Sequence, residues 1–326
     1  MRAIVVTEFG GPEVLELREM EPPRPLAGEV LIRPKHISIN FADIKARRGG
    51  HHTGPHSAGK FPFIPGLDVA GEVEAVGEGV EGLEQGQLVA AATDGGAYAE
   101  VVRARQELCF PLGKGTDPRQ AAGVVVLMTA YNVLIGKGAL QPDETVLVHG
   151  AAGAVGTVVL QLARLHGAGQ IIAAVGSEEK RETALHYGAH TVVVGRGGDL
   201  VGPIREAAPQ GLDLILDPVA GEQFESGLGL LAPFGRVVVF GNAGGHGSLS
   251  TGPLHSANRS VIGYSSGHYR KDRPDGVRRA AVEMLELLAS GEITVPVSRT
   301  FPLANAAQAH RYLESRQSIG KLLLEP

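Results

Sequence analysis

Gly150, Gly153 and Gly156 stand between an apolar β-branched run, Thr145 to His149, and a segment in which Val155, Val158, Val159 and Leu162 recur at helical spacing. The period changes from strand to helix across the glycines, and a second strand-like run follows up to Gly176. A turn of this kind suits a phosphate. The N–H groups of the first helical turn have no partner inside the helix, the helix dipole adds positive potential, and glycine lets the backbone approach an anion. Ala152, Gly153, Ala154, Val155 and Gly156 are therefore the residues expected at a dinucleotide pyrophosphate. The usual G-x-G-x-x-G pattern is incomplete, because Ala151 occupies the place of its first glycine. Gly150 is then the candidate for the tight turn. The flanking strands and helix favour a dinucleotide site over an ordinary strand-to-helix turn.

The end of the second strand selects the dinucleotide. A site for the unphosphorylated ribose places a carboxylate roughly 20 residues beyond the turn, where it binds the 2′-hydroxyl. This chain has Gly176 there, followed by Ser177, Glu178, Glu179 and Lys180. Ser177 and Lys180 offer a hydroxyl and a cation to a 2′-phosphate, which favours NADPH over NADH. The blander roles are an N-cap for Ser177 and a solvated first-turn charge for Lys180. Glu178 and Glu179 suit the helix dipole but would repel a phosphate they faced.

These residues need a scaffold, and the rest of the chain supplies its pattern. At 326 residues with 43% apolar composition, the chain is long enough for about two domains. From Met1 to about Thr116, short apolar runs separated by glycine and proline predict a β-rich, partly closed antiparallel barrel. A linker from Pro111 to about Arg119 precedes an apolar helix, Gln120 to Gly136, carrying Thr129 and Tyr131. Beyond the opening βαβ unit, strands are expected near Thr191–Val194, Leu212–Pro218 and Arg236–Gly241, with helices near Ser177–Tyr187, Leu200–Ala207 and Gly221–Leu231. Such alternation predicts a doubly wound parallel sheet, which binds ligands outside the carboxyl ends of its strands. Arg196, Asp217 and the turn Phe240, Gly241, Asn242 lie at such ends and are candidates for the cofactor wall. Further elements are expected at Arg259–Gly267 (strand), Pro274–Ser290 and Ala304–Arg316 (helices) and Lys321–Leu324 (strand). The expected divisions are residues 1–119, 120–258 and 259–326, the last holding the final strand of the parallel sheet and the return to the β-rich domain.

The net charge of −5, without a long basic block, argues against a nucleic-acid stripe or a membrane-surface helix. The single cysteine, Cys109, rules out an intrachain disulfide and fits a reducing compartment. With no signal-like segment and no apolar run of membrane-spanning length, the expectation is a soluble, cytoplasmic protein.

EFGGPEVLEL, ISINFADIKARRG, FPFIPGLDVAGEVEAVGEGV, GGAYAE, VLMTAYNVL, VLVHGAAGAVG, FGNAGG and GKLLLEP occur in that order along the whole chain. In these segments it resembles the quinone oxidoreductase (zeta-crystallin-like) branch of the zinc-independent medium-chain dehydrogenase/reductase superfamily. The resemblance implies an α/β fold in which a Rossmann doubly wound parallel sheet is inserted into a β-rich, barrel-like (GroES-like) catalytic domain, with NADPH in the cleft between them. It further implies Thr129, Gly241 and Asn242 near the nicotinamide, Arg196 near the adenosine phosphate, Lys321 among the cofactor residues, and a homodimer formed through the strand at Arg259–Gly267. Gly195 replaces an aromatic residue often found there, which weakens any adenine stacking.

Zinc-dependent members of that superfamily carry a cysteine followed by Asp, and a Gly-His-Glu segment. Here those stretches read Asn40-Phe41-Ala42-Asp43 and Gly66-Leu67-Asp68, so no metal is expected. His51, His52 and His56 form the histidine-rich segment, without helical spacing or an acidic partner that would suggest a metal site. Catalysis without zinc would rest on orientation and hydrogen bonding around NADPH. Asn40 is the first candidate, as an amide donor to a quinone or enone oxygen, although Asn also favours caps. His51 stands where relatives commonly have a tyrosine and is the second; His52 and Lys60 are weaker. The activity expected is NADPH-dependent reduction of a quinone. The alternatives are reduction of an enone or 2-enoyl-thioester double bond, and a non-catalytic NADPH-binding protein, for which RNA is disfavoured by the charge.

Overall fold

The computed structural model describes residues 1–50 and 61–326, which form two compact units: Met1–Met128 with Ser266–Pro326, and Thr129–Ser265. The divisions at 128/129 and 265/266 fall later than those expected at 119/120 and 258/259. The reason lies in the bonds of the segment after the linker. Val125 N donates to Asp68 Oδ2 at 3.0 Å and Val295 N to Gln120 Oε1 at 2.8 Å, which ties residues up to 128 to the first unit.

In the first unit a seven-stranded sheet runs in the order Val297–Pro302, Lys321–Glu325, Glu29–Ile39, Asp68–Val76, Leu88–Ala92, Cys109–Pro111, with Val102–Arg105 also paired to Glu29–Ile39. All its pairs are antiparallel except Val297–Pro302 on Lys321–Glu325. Alternating residues such as Ile32, Ile37, Val69, Val89, Leu322 and Leu324 fill one buried core together with Ile4, Tyr98 and Phe301. The helix Pro274–Ser290 starts with proline at its first turn and ends on Gly291 in the left-handed region. It buries Val277, Ala281, Met284, Leu285 and Leu288, the stripe its periodicity predicts. The strand Val297–Pro302 and the helices Gly252–Ala257 and Ser266–Asp272 carry no strong sequence signal.

The second unit is a six-stranded sheet with every pair parallel, in the order Thr191–Val194, Gln170–Val175, Thr145–His149, Leu212–Asp217, Leu231–Val239, Ser260–Gly263. Its central strands are near-continuous apolar runs, as strands buried on both faces require. The chain leaves Thr145–His149 in one direction and later resumes on its other side at Leu212–Asp217. That reversal opens a crevice at the carboxyl ends of those two strands. The strand expected over Arg259–Gly267 is confined to Ser260–Gly263, because the chain turns into a helix at Ser266.

The helix Ala154–Leu165 returns against the glycine turn so closely that a Cβ on Gly156 would lie 2.5 Å from Gly150 O and 2.6 Å from Ala151 Cα. Both are main-chain atoms that a side chain cannot push aside. Gly156→Ala is expected to destabilise the protein by about 1–3 kcal/mol, the usual penalty of overpacking. Equilibrium urea unfolding at fixed protein concentration measures it.

Candidate functional site

Gly150 adopts φ +62°, the left-handed region that glycine reaches without penalty, so it makes the turn that the missing first glycine would have made. Gly153 is the N-cap of the helix Ala154–Leu165. Its N–H donates to Gly150 O at 2.9 Å, and Thr157 N donates back to Gly153 O at 2.9 Å. Among the described residues the N–H groups of Ala154, Val155 and Gly156 find no backbone acceptor outside the helix. Being the first three of the helix, they have none within it either. Ala152 is buried beneath them. The arrangement presents oriented donors and a helix dipole to an anion.

At the end of the adjacent strand, the Arg196 guanidinium stands over Gly176. A Cβ on that glycine would meet Arg196 Nε at 3.4 Å and its terminal nitrogen at 3.5 Å. Lys180 belongs to the same cluster: burial and then the like charge of Arg196 hold its ammonium below the usual lysine range. Glu178 is paired with Arg181, while Glu179 accepts the Ser177 hydroxyl and its charge partly offsets the repulsion on Lys180. Ser177 therefore stands at an N-cap position without making the capping bond. Gly176, Lys180 and Arg196 are brought together as a cationic patch with no side chain on its floor.

Asp217 is 1% exposed; its Oδ1 accepts from Val219 N at 2.7 Å and Ala220 N at 3.0 Å and so shapes the turn at its own strand end, while its buried Oδ2 has no hydrogen-bond partner among the described residues. Burial pushes the neighbouring His149 down to about 4, against the opposing pull of Asp217. Phe240, Gly241 and Asn242 follow the next strand: Phe240 N donates to Asp217 O at 3.0 Å, and a Cβ on Gly241 would lie 2.2 Å from Pro218 O. The two loops therefore lie side by side at the crevice of the parallel sheet. Thr129 is a buried residue of the helix Val124–Tyr131.

In the first unit the site is built by strand register. Leu322 pairs with Ile39, which sets Lys321 beside Asn40, and Val69 pairs with Ile37, which brings Asp68 to the same place. Lys321 Nζ donates to Ile39 O at 2.8 Å and to Asn40 Oδ1 at 2.6 Å. Asn40 Nδ2 donates to Asp68 Oδ1 at 2.7 Å. Asn40 is also the N-cap of the helix Phe41–Arg47, and its backbone N donates to Asp43 Oδ2 at 2.7 Å. The cap and the site thus share one residue. Lys321, expected among the cofactor residues, is 2% exposed and bonded to Asn40 and Ile39. His51, with His52, His56 and Lys60, lies outside the described residues.

A second set of buried groups continues from Asp43. Tyr98 Oη lies 3.0 Å from Asp43 Oδ2 and 3.0 Å from His310 Nε2, and Arg47 approaches His310 Nδ1 at 3.4 Å. A guanidinium only donates, so Nδ1 accepts and Nε2 carries the proton. Each bond then points inward: Arg47 to His310, His310 to Tyr98, Tyr98 to the Asp43 carboxyl. Arg47 also donates to Glu314 at 2.5 Å. Burial pushes Asp43 up to about 7, the nearby Asp68 charge adding to the rise, and pushes His310 down to about 3. Sequence reading missed Asp68, Tyr98 and His310. The first two stand within the GLD and GGAYAE segments, but no local pattern links either to His310.

Among the described residues, no three His, Cys, Asp or Glu side chains converge as metal ligands, and Asn40 Oδ1 accepts from the Lys321 ammonium.

Comparison with known proteins agrees with both halves of the chain. Residues 26–125 match the alcohol dehydrogenase GroES-like domain and residues 154–283 the zinc-binding dehydrogenase family. The chain is 34% identical to rat quinone oxidoreductase, over 99% of this chain and 97% of that protein. It is 32% identical to the rat synaptic vesicle membrane protein VAT-1 homolog, over 100% and 84%. Among solved structures, Escherichia coli quinone oxidoreductase complexed with NADPH superimposes with a TM-score of 0.92 at 33% identity, covering 100% of both chains.

The raised pKa of Asp43 has a consequence for stability. The folded protein holds a proton on Asp43 up to pH about 7, whereas the unfolded chain releases it near pH 3.8. The proton's contribution is therefore full below pH 3.8 and is lost as pH rises toward 7. Asp43→Asn is expected to remove that loss, so that the melting temperature of the variant gains on the wild type between pH 5 and pH 8. Parallel thermal melts across that range provide the check.

Proposed function

This chain belongs to the quinone oxidoreductase branch of the medium-chain dehydrogenase/reductase superfamily, and from that membership we propose that it is a zinc-independent reductase that binds NADPH and passes its reducing equivalents to a quinone. The observation that carries the cofactor assignment is the pair of cations, Lys180 and Arg196, gathered at Gly176. A 2′-phosphate relieves the repulsion between them, whereas the ribose hydroxyl of NADH does not, and no carboxylate stands at Gly176 to hold that hydroxyl. Gly153 to Gly156 would receive the pyrophosphate, and Gly241 and Asn242 would line the nicotinamide half.

When bound, NADPH supplies a hydride. The chain's own contribution is to hold the cofactor and to stabilise the negative charge that develops on the acceptor's oxygen. Asn40 fits that second role, since its Nδ2 keeps one hydrogen beyond the one given to Asp68. Zinc independence is supported by the same atoms, because the Asn40 oxygen that would face a metal accepts from Lys321 instead. A homodimer paired through the edge strand Ser260–Gly263 is consistent with its place at the border of the sheet. Among the described residues, no helix is long and apolar enough to cross a membrane. The single buried cysteine is consistent with a reducing compartment such as the cytoplasm.

Fluorescence titration with NADPH and NADH in parallel tests the cofactor. NADPH is expected to bind more tightly, and Arg196→Ala is expected to weaken it by roughly ten- to a hundredfold, the loss of a charge-assisted bond worth about 1.5–3 kcal/mol, with NADH binding unchanged. Equal or tighter binding of NADH overturns the assignment. Turnover of 1,4-benzoquinone and 9,10-phenanthrenequinone but not crotonyl-CoA is expected for the acceptor. The reverse selectivity would make the protein an enoyl-thioester reductase, and binding without turnover a non-catalytic member of the family.

A further inference from the structure

We propose that Lys321 and Asp68 are positioning residues that clamp the Asn40 amide in one orientation and present its remaining N–H to the oxygen of the electron acceptor. This rests on the reading of the protein as an NADPH-dependent reductase of a quinone or conjugated carbonyl. An ammonium offers only hydrogens, and an ionised carboxylate only lone pairs. Lys321 Nζ at 2.6 Å from one end of the amide and Asp68 Oδ1 at 2.7 Å from the other therefore allow a single arrangement, with oxygen toward Lys321 and nitrogen toward Asp68. Hydroxyls in the same places would accept either arrangement. A flipped amide would turn a carbonyl oxygen toward the acceptor's oxygen and oppose its reduction.

The clamp is itself held by main chain. Ile39 O fixes the ammonium at 2.8 Å, and Val125 N fixes Asp68 Oδ2 at 3.0 Å. Lys321 and Asp68 are 2% and 0% exposed, so neither meets an acceptor directly, whereas Asn40 is half-buried. The cation on the amide oxygen also draws electron density from the nitrogen, which strengthens the remaining N–H as a donor. That donor matters most once charge has built up on the acceptor, so its loss falls on kcat more than on KM.

The test compares Asn40→Ala, Lys321→Met, Asp68→Asn and the two double variants that combine each clamp change with Asn40→Ala. Each is assayed for NADPH affinity by fluorescence, for melting temperature, and for kcat and KM with 9,10-phenanthrenequinone. NADPH affinity is expected to stay within about twofold, because the cofactor residues lie elsewhere in the chain. The value of kcat is expected to fall by roughly ten- to a hundredfold in Asn40→Ala and Lys321→Met, and by less in Asp68→Asn, which keeps an acceptor. Each double variant is expected to be no slower than Asn40→Ala alone, since the clamp then has nothing to hold. Losses that multiply in the double variants, or a wild-type kcat in Lys321→Met, overturn the proposal. Should Lys321→Met fail to fold, the near-isosteric Asp68→Asn pair decides by the same rule. Wild-type protein that reduces no quinone and no enoyl thioester overturns the functional reading and the clamp with it, whereas an active wild type with multiplying losses overturns the clamp alone.

Discussion

A buried ammonium has to be answered by oxygens, and in this protein the answer organises the first unit. Lys321 sits at 2% exposure with two oxygen partners, Ile39 O at the end of the strand Glu29–Ile39 and Asn40 Oδ1 just beyond it, and with the carboxyl groups of Asp68 and Asp43 nearby. Burial lowers its affinity for a proton, and the two carboxyl groups work against that fall. A slip of one residue in the pairing of Leu322 with Ile39 would turn Lys321 to the opposite face of the sheet and leave the carboxylates unanswered. Register, helix capping at Asn40 and the placement of Asp68 thus depend on one another.

The second unit solves a different electrostatic problem. Its sheet is largely apolar, with Asp213 and the Arg236–Glu144 pair toward the amino ends as exceptions, and at the carboxyl ends of the strands the backbone does much of the work. Gly150 turns the chain, Gly156 lets the helix approach, and oriented N–H groups take the place of cationic side chains at the turn. Only at Gly176 do side chains supply the charge, through Lys180 and Arg196. A carboxylate at position 176 would neutralise the patch, so the small residue matters as much as the two cations.

The elements that could be read from sequence are those whose signal is local. The glycine turn, the helix Pro274–Ser290 with its apolar stripe, and the alternation of strands and helices from 145 to 239 all carry their period within a dozen or so residues. Gly176, Ser177, Lys180 and Arg196 are candidates because strand ends bind ligands; the structure gathers Lys180 and Arg196 at Gly176, and the hydroxyl of Ser177 bonds to Glu179. What was not legible depends on distant pairing. Lys321 reads as a strand residue near a cofactor until its partner strand is known, 282 positions away. His310 and Tyr98 meet across 212 positions with no motif in common. Asp217 has the right address at a strand end, and one of its carboxylate oxygens holds its own turn.

The second unit lies between two stretches of the first, and this sets an order of events during synthesis. Residues 129–265 have all left the ribosome before the strand Lys321–Glu325 exists, so the parallel sheet is complete in sequence while the antiparallel one lacks a member. Until then, Ile37 to Ile39 present the open edge that Leu322 to Leu324 will later cover. At ~5–20 residues per second that interval lasts on the order of 15–60 s. For that time the nascent chain carries an unpaired strand beside a site meant to bury a cation, which makes it a natural client for chaperones that shield open sheet edges.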